Sequence, residues 1–293
     1  VTESFVAGSL TMFPALALAA RPESARTRHY FAATFLSLGM TLTNGMAGLF
    51  VSFCALPWRR FAAVSAAAFA AIVACVLIDG AVFSGTRVLP GAPMDETAWI
   101  FSPDSGGPFA ILRSFFVSGM VAPEMRFLEN WKHPVWPVMT FQFGGLFSGT
   151  RWGWIATPAW TLLLGLGAWA LWREKERPVL RQVLTLTLLY QLLLHLFYGR
   201  ETFLYAIHFV PYLIAMAALA AQTRLRPVVL ALGVLLAVTN GVNSARSFSW
   251  ARAYNERHPA LKKLEGITHQ RVDGSEPPAI HYRFWRDTLG SNR

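Results

Sequence analysis

The residues of this chain best suited to chemistry lie close together, between positions 190 and 208. Gln191, His195 and Tyr198 are spaced i, i+4, i+7, and after Gly199 the same spacing returns with Glu201, Tyr205 and His208. At 3.6 residues per turn, each set falls on one face of a helix. Arg200 and Glu201 occupy the turn between them. A guanidinium at the end of a helical bundle can grip a phosphate through two parallel hydrogen bonds. Tyr198, Tyr205 and His208 could orient a sugar or a lipid head beside it. Ionisable groups near membrane depth are costly and normally face a bundle interior or an aqueous cavity, which makes these stripes a candidate site. A plainer reading stands beside it: Tyr and His anchor helices at the membrane interface, and Arg200 with Glu201 caps a hairpin in water. The spacing alone leaves both open.

The elements that must position these residues are apolar runs. Of the 293 residues, 54% are hydrophobic and 14% charged, with a mean hydropathy of +0.39; a soluble domain carries about a quarter charged residues. Runs at 4–20, 61–78, 154–172, 183–198, 203–222 and 228–244 approach or reach the ~17–25 residues that cross a bilayer. Residues 30–57 are too long for one ordinary span at about 1.5 Å per residue. Their middle holds Asn44-Gly45, a turn signal, so two short helices forming a hairpin are expected, with one tilted, kinked span as the alternative. The fold class is therefore all-α, a polytopic membrane protein of about 7–8 membrane helices including the 30–57 hairpin.

The formal charge of +10 does not point to nucleic acid, because of where it sits. Arg21, Arg26, Arg28, Arg59, Arg60, Arg173, Lys175, Arg177, Arg181, Arg224 and Arg226 crowd the short loops, against Glu23, Glu174 and Glu176. That is the positive-inside signature. It puts the Gly199 turn, a long 80–153 loop and the C-terminal tail on the extracytoplasmic side of what is expected to be a bacterial plasma membrane. Two domains follow: a transmembrane part, 1–245, and an extracytoplasmic tail, 246–293. The 80–153 loop is rich in Pro and aromatics; structureless loops of that length are uncommon unless functional. Within it, 109–121 is apolar but too short to span, which fits an interfacial or re-entrant helix. Trp131, Trp136, Trp152 and Trp154 fit headgroup anchors. Cys54 and Cys75 lie in apolar runs and suggest packing, not a disulfide framework. An N-terminal portion of the natural protein is expected to precede Val1.

No Walker A, dinucleotide fingerprint, HExxH or nucleophile elbow occurs, and the scattered histidines make a poor metal set; no metal or other cofactor is indicated. The layout resembles the C-terminal part of an integral-membrane glycosyltransferase of the GT-C superfamily, the users of dolichyl- or polyprenyl-phosphate sugars. A basic loop followed by Ser37-Leu38-Gly39-Met40-Thr41-Leu42-Thr43-Asn44-Gly45 is similar to the short-helix hairpin of that group. The Pro-rich outer loop and Phe203-Leu204-Tyr205-Ala206-Ile207-His208-Phe209-Val210-Pro211-Tyr212-Leu213 add to the likeness. Asn44 stands where that group often has Lys. The resemblance implies sugar transfer outside the cytoplasm from a polyprenyl-phosphate-linked donor. It also implies an acidic base in a first outer loop that this sequence lacks. That base is expected upstream of Val1, with Asp79, Asp95 and Glu96 as reserve candidates; otherwise this chain is inactive alone. A lipid or solute transporter with a midplane site at broken helices and a non-enzymatic membrane scaffold are the competing readings.

Overall fold

A computed structural model describes residues 9–40, 42–83, 100, 105–128, 138–147, 149–199 and 202–257. It is a helical assembly with one short two-stranded ribbon. Among the described residues, five helical segments are long and apolar enough to cross a membrane: Trp58–Val82, Arg151–Arg173, Pro178–Phe197, Thr202–Gln222 and Arg226–Tyr254. At 1.5 Å per residue the shortest, of 20 residues, is about 30 Å long, the thickness of the hydrocarbon core. Their outward faces stay apolar and uncovered: Phe69, Leu77, Leu162, Val234 and Val238 are all more than half exposed. In water this would be an aggregation surface; in a bilayer it is the lipid-facing wall.

Helices α1 (Met12–Ala20), α2 (Thr27–Met40) and α3 (Leu42–Ala55) precede the first long one, α4 (Trp58–Val82). The expected hairpin is present as α2 and α3, antiparallel and in close contact. Thr34 donates from Oγ1 to the Gly48 carbonyl at 3.1 Å and lies 3.0 Å from Ser52 Oγ. A Cβ on Gly48 would sit 2.5 Å from both Ser37 Oγ and the Thr34 Cα. Gly48 is thus what allows two backbones to meet, as small residues do in membrane bundles. Buried hydroxyls at Thr34, Ser37 and Ser52 then bond within the seam. The hairpin packs on α4 through α2 and on α7 (Pro178–Phe197) through α3, with Phe50 edge-on to Tyr190.

The second half is a bundle of α6 (Arg151–Arg173), α7, α8 (Ala206–Leu219, entered and left through 3-10 turns at Thr202–Tyr205 and Ala220–Gln222) and α9 (Arg226–Arg257). Buried Trp160, Leu163, Leu184, Phe209, Tyr212 and Leu213 form its centre. Because the hairpin returns the chain to the end where it began, every short basic connection lies at one end of the bundle. Arg177 bonds Gln222 across it, and Phe53 and Cys54 meet Arg181 there. Trp152 and Trp172 sit twenty positions apart on α6, about 30 Å along the axis, near the two boundaries of a bilayer.

At the other end lies a cap made from the long loop: α5 (Gly107–Arg113), a π-helical continuation at Ser114–Ser118, and a ribbon of β1 (Arg126–Leu128) antiparallel to β2 (Val138–Thr140). The 109–121 stretch, expected to be interfacial or re-entrant, is a short helix set into the end of the bundle. Ile111, Ser114 and Phe115 are buried, and Trp160 Nε1 donates to the Phe116 carbonyl at 2.6 Å. The boundary drawn at 245/246 falls inside α9, which runs unbroken to Arg257. No Gly or Pro interrupts 245–257, and Arg252 pairs with Glu256 at 2.8 Å one turn on, so the helix continues past the change in polarity. Cys54 is half-buried, but Cys75 is exposed on α4 and packs into nothing described.

Candidate functional site

Helix α7 ends at Phe197; Tyr198 is extended and Gly199 takes φ 105°, a left-handed value that suits glycine alone. This turn lies against the cap. Tyr198 bridges Ile100, Phe203 stands edge-on to Phe141 with centroids 5.2 Å apart, and the Thr202 amide donates to Gln142 Oε1 at 3.2 Å. The corner between α7 and α8 and the long loop therefore form one surface.

Gln142 is the hub of that surface and is fully buried. Its Oε1 accepts from Ser114 Oγ at 2.9 Å as well as from Thr202, and its Nε2 donates to the Ser105 carbonyl at 2.8 Å. Its own amide donates to Thr140 Oγ1 at 3.0 Å, and its carbonyl accepts from Arg113 Nη2 at 2.7 Å. One residue thus ties the π-helical turn, the ribbon and the corner together, with both its amide groups bonded. That is the condition under which a buried polar network rigidifies a site. The π-helical turn at Ser114–Ser118 carries Ser114 into this network; such turns recur at functional sites. From the far side, Asn240 and Asn243 of α9 donate to the carbonyls of Met120 and Ala122 at 2.9 and 2.8 Å. Thr150, which caps the start of α6, donates to Asn243 Oδ1 at 2.7 Å.

Arg113 is the cation this scaffold holds in place. Its Nε is buried without a hydrogen-bond partner. Burial and then the nearby Arg126 cation depress its pKa, although a guanidinium stays charged regardless. No carboxylate pairs with it among the described residues. The exposed Arg126 adds like charge beside the half-buried Arg113, and an anion there would relieve it.

Beneath the cap is an aromatic and imidazole cluster. Phe115 stacks on Phe209 at 4.1 Å between centroids. His195 lies 5.6 Å from Phe209 and 5.3 Å from Tyr205, and Tyr205 is 6.4 Å from His208. His195 is 5% exposed and its Nε2 has no hydrogen-bond partner. A buried imidazole with one nitrogen open can accept a hydroxyl proton or donate to an anionic oxygen.

The residues singled out by spacing are placed as follows. Gln191, His195 and His208 are buried together at this end of the bundle, with Tyr205 half-buried between the two histidines. Tyr198 leaves the stripe, because α7 stops one residue before it and turns it outward. Arg200 and Glu201 lie outside the described residues, as do Asp95, Glu96 and the tail beyond Arg257; the Trp131 and Trp136 anchors lie outside them too. Asp79 is exposed near the end of α4, which packs on α2 and α3 and not on α7 or α8. Gln142, Arg113 and Arg126 were not among the spacing-derived candidates. The available signal was Arg113, the one charge within the apolar 109–121 stretch. Among the described residues no three His, Cys, Asp or Glu side chains converge as a metal set. No protein-family model, curated protein or solved structure matches the chain.

Proposed function

We propose that the chain is a membrane glycosyltransferase of GT-C type, or the C-terminal part of one, taking a sugar from a polyprenyl-phosphate donor on the extracytoplasmic side. The observation that carries this reading is Arg113: a half-buried guanidinium, oriented by the Gln142 carbonyl, repelled by Arg126, and lacking a carboxylate partner among the described residues. An anionic phosphate supplies what that pair lacks. The neighbouring aromatic side chains suit a sugar ring, and His195 suits a proton or an anionic oxygen. Arg200, Glu201, Tyr198, Tyr205 and His208 belong to the same corner in this reading, as second contacts to the donor. In the same reading α1 and the α2–α3 hairpin sit at membrane depth, which with the five long helices gives eight embedded segments. The basic connections face the cytoplasm, and the cap, the corner and the tail face outward.

Catalysis would divide accordingly. Arg113 and Arg126 hold the phosphate, neutralise charge gathering on it as the glycosidic bond breaks, and so favour its departure. The base that takes the acceptor proton is unassigned; Asp95 and Glu96 remain its reserve candidates, while Asp79, exposed near the end of a helix that packs on α2 and α3, does not. The test uses the purified full chain in lipid nanodiscs. Retention of polyprenyl phosphate by native mass spectrometry and sugar transfer from polyprenyl-phosphate sugars are both measured, for wild type, Arg113→Lys and Arg113→Ala. Expected are a fall in retention of about tenfold or more for Arg113→Ala, a smaller fall for Arg113→Lys, and parallel loss of transfer. Equal retention by wild type and Arg113→Ala overturns the reading.

A further inference from the structure

At the opposite end of the bundle, among the basic connections, α3, α6 and α7 part to leave a groove of about 810 Å³. Its walls are mainly apolar: Phe53 from α3, Leu171 and Trp172 from α6, and Leu186 from α7. Arg181, Gln182 and Thr185 are the polar side chains on it. The volume is in the range of sites that take a small organic ligand. Its position decides which ligand. Phe53 is 53% and Trp172 85% exposed, so the groove opens sideways between helices whose outer faces are apolar, where a bilayer surrounds the protein. Trp172 ends a membrane-length helix and marks headgroup level.

The polar end of the groove is cationic and built. Arg181 Nη1 donates to the Glu174 carbonyl at 3.0 Å, which fixes the guanidinium while its other donors stay open. Glu174 is itself held by Arg177, whose Nη2 meets Oε2 at 2.5 Å and whose amide meets Oε1 at 3.1 Å. The Glu174 carboxylate is thereby committed to Arg177, and Arg181 holds that residue by its carbonyl alone. Arg173 lies 4.9 Å over the Trp169 ring and Lys175 is exposed, adding positive potential at the same level. Gln182 is exposed and offers an amide beside Arg181.

We propose that this groove holds one anionic phospholipid of the adjoining leaflet. Its phosphate is bound by Arg181 and Gln182, and one acyl chain lies against Phe53, Leu171 and Leu186. Basic pockets between helices at this level bind acidic headgroups by the same physics. The site is separate from the corner that carries Arg113 and stands whether or not the glycosyltransferase reading does. The lipid fills a gap that helix packing leaves open, so its loss weakens the contact between the hairpin and the α6–α7 pair.

The experiment is native mass spectrometry of the detergent-purified full chain, titrated separately with phosphatidylglycerol and phosphatidylcholine of matched acyl chains. The wild type is expected to retain one phosphatidylglycerol at least tenfold more strongly than phosphatidylcholine. Arg181→Ala is expected to lower that preference to within about threefold, and Arg60→Ala, on an exposed basic residue outside the groove, to leave it unchanged. Leu186→Trp, which fills the groove and keeps the charge, is expected to abolish the retained lipid; it decides the matter if Arg181→Ala does not fold. Equal retention of the two lipids by the wild type, or a preference that survives both groove variants, overturns the proposal.

Discussion

Gln142→Leu removes the hub while keeping a side chain of similar size, so its effect isolates hydrogen bonding from packing. Three partners lose their bond: the Ser114 hydroxyl, the Thr202 amide and the Ser105 carbonyl. Ser114 lies in helical chain and can turn its hydroxyl to a preceding carbonyl. The Thr202 amide and the Ser105 carbonyl belong to turns and have no such recourse. Each buried polar group left unpaired costs about 1–3 kcal/mol, so the pair costs about 3 kcal/mol and concentrates that cost at the corner. For a chain of this size about 3 kcal/mol corresponds to a fall in Tm of roughly 6–12 °C. Hydrogen exchange resolves where the loss occurs: amides from 198 to 206 and from 105 to 118 should exchange faster, while those of α2 and α3 stay as they were. Thermal unfolding followed by intrinsic fluorescence supplies the global figure. If protection at 198–206 is unchanged and Tm moves by less than about 1 °C, Gln142 does not join the cap to the corner and the site as described is wrong.

Gly48→Ala should cost about 2–3 kcal/mol, because the new methyl meets the Thr34 backbone at 2.5 Å; Gly233→Ala on α9, where nothing lies within 4 Å, is the matched control and should be neutral in the same thermal assay. Asn243→Ala breaks the bonds to Ala122 and Thr150 and should cost about 2–3 kcal/mol, with protease sensitivity appearing first in 119–128. Glu174 is pushed up by burial, but the bonds from Arg177 and from the Glu176 amide outweigh this and hold its carboxyl below the usual range. Its contribution is therefore fully present above the unfolded value of about 4.3 and is lost as pH falls through the folded one. Glu174→Gln should lower stability by about 1 kcal/mol at pH 7, and the gap from wild type should close on titration below about pH 4; a gap that persists there would refute the ion-pair account.

What could be read from the chain itself follows from which forces leave a periodic trace. Five long helices were legible because a bilayer demands runs of a given length, and Pro178–Phe197 or Arg151–Arg173 meet that demand plainly. The α2–α3 hairpin was legible because basic residues flank both ends of a run too long for one span, but Asn44-Gly45 does not make its turn: α2 ends at Met40, α3 begins at Leu42, and both residues lie inside α3. The boundary at 245/246 follows polarity and not the backbone. Polarity changes near Arg246, but a helix ends where its backbone is interrupted, and nothing interrupts it before Arg257. The hub was not legible at all. Gln142 is one polar residue in an aperiodic loop, 60 positions from the Thr202 amide it binds, and no local pattern encodes such a meeting. His195 and His208 were found by spacing. Tyr198 was misassigned to their face because the helix stops at Phe197, one residue short.

The choice of an amide at the hub bears on the charge of the site. A glutamate at 142 would bring a carboxylate into the loop whose carbonyl Arg113 grips, one hydrogen bond from Ser114. It could then pair with the guanidinium, satisfy it internally and leave nothing for an incoming anion. Glutamine makes its bridges while carrying no charge, so it leaves the Arg113 and Arg126 charges as they are. The imidazoles below the cap have the same property, since a neutral histidine organises neighbours without cancelling a cation. A half-buried cation with no carboxylate partner among the described residues is costly to hold. Such uncompensated charge is a cost that folding must absorb elsewhere, and Arg113 carries it here.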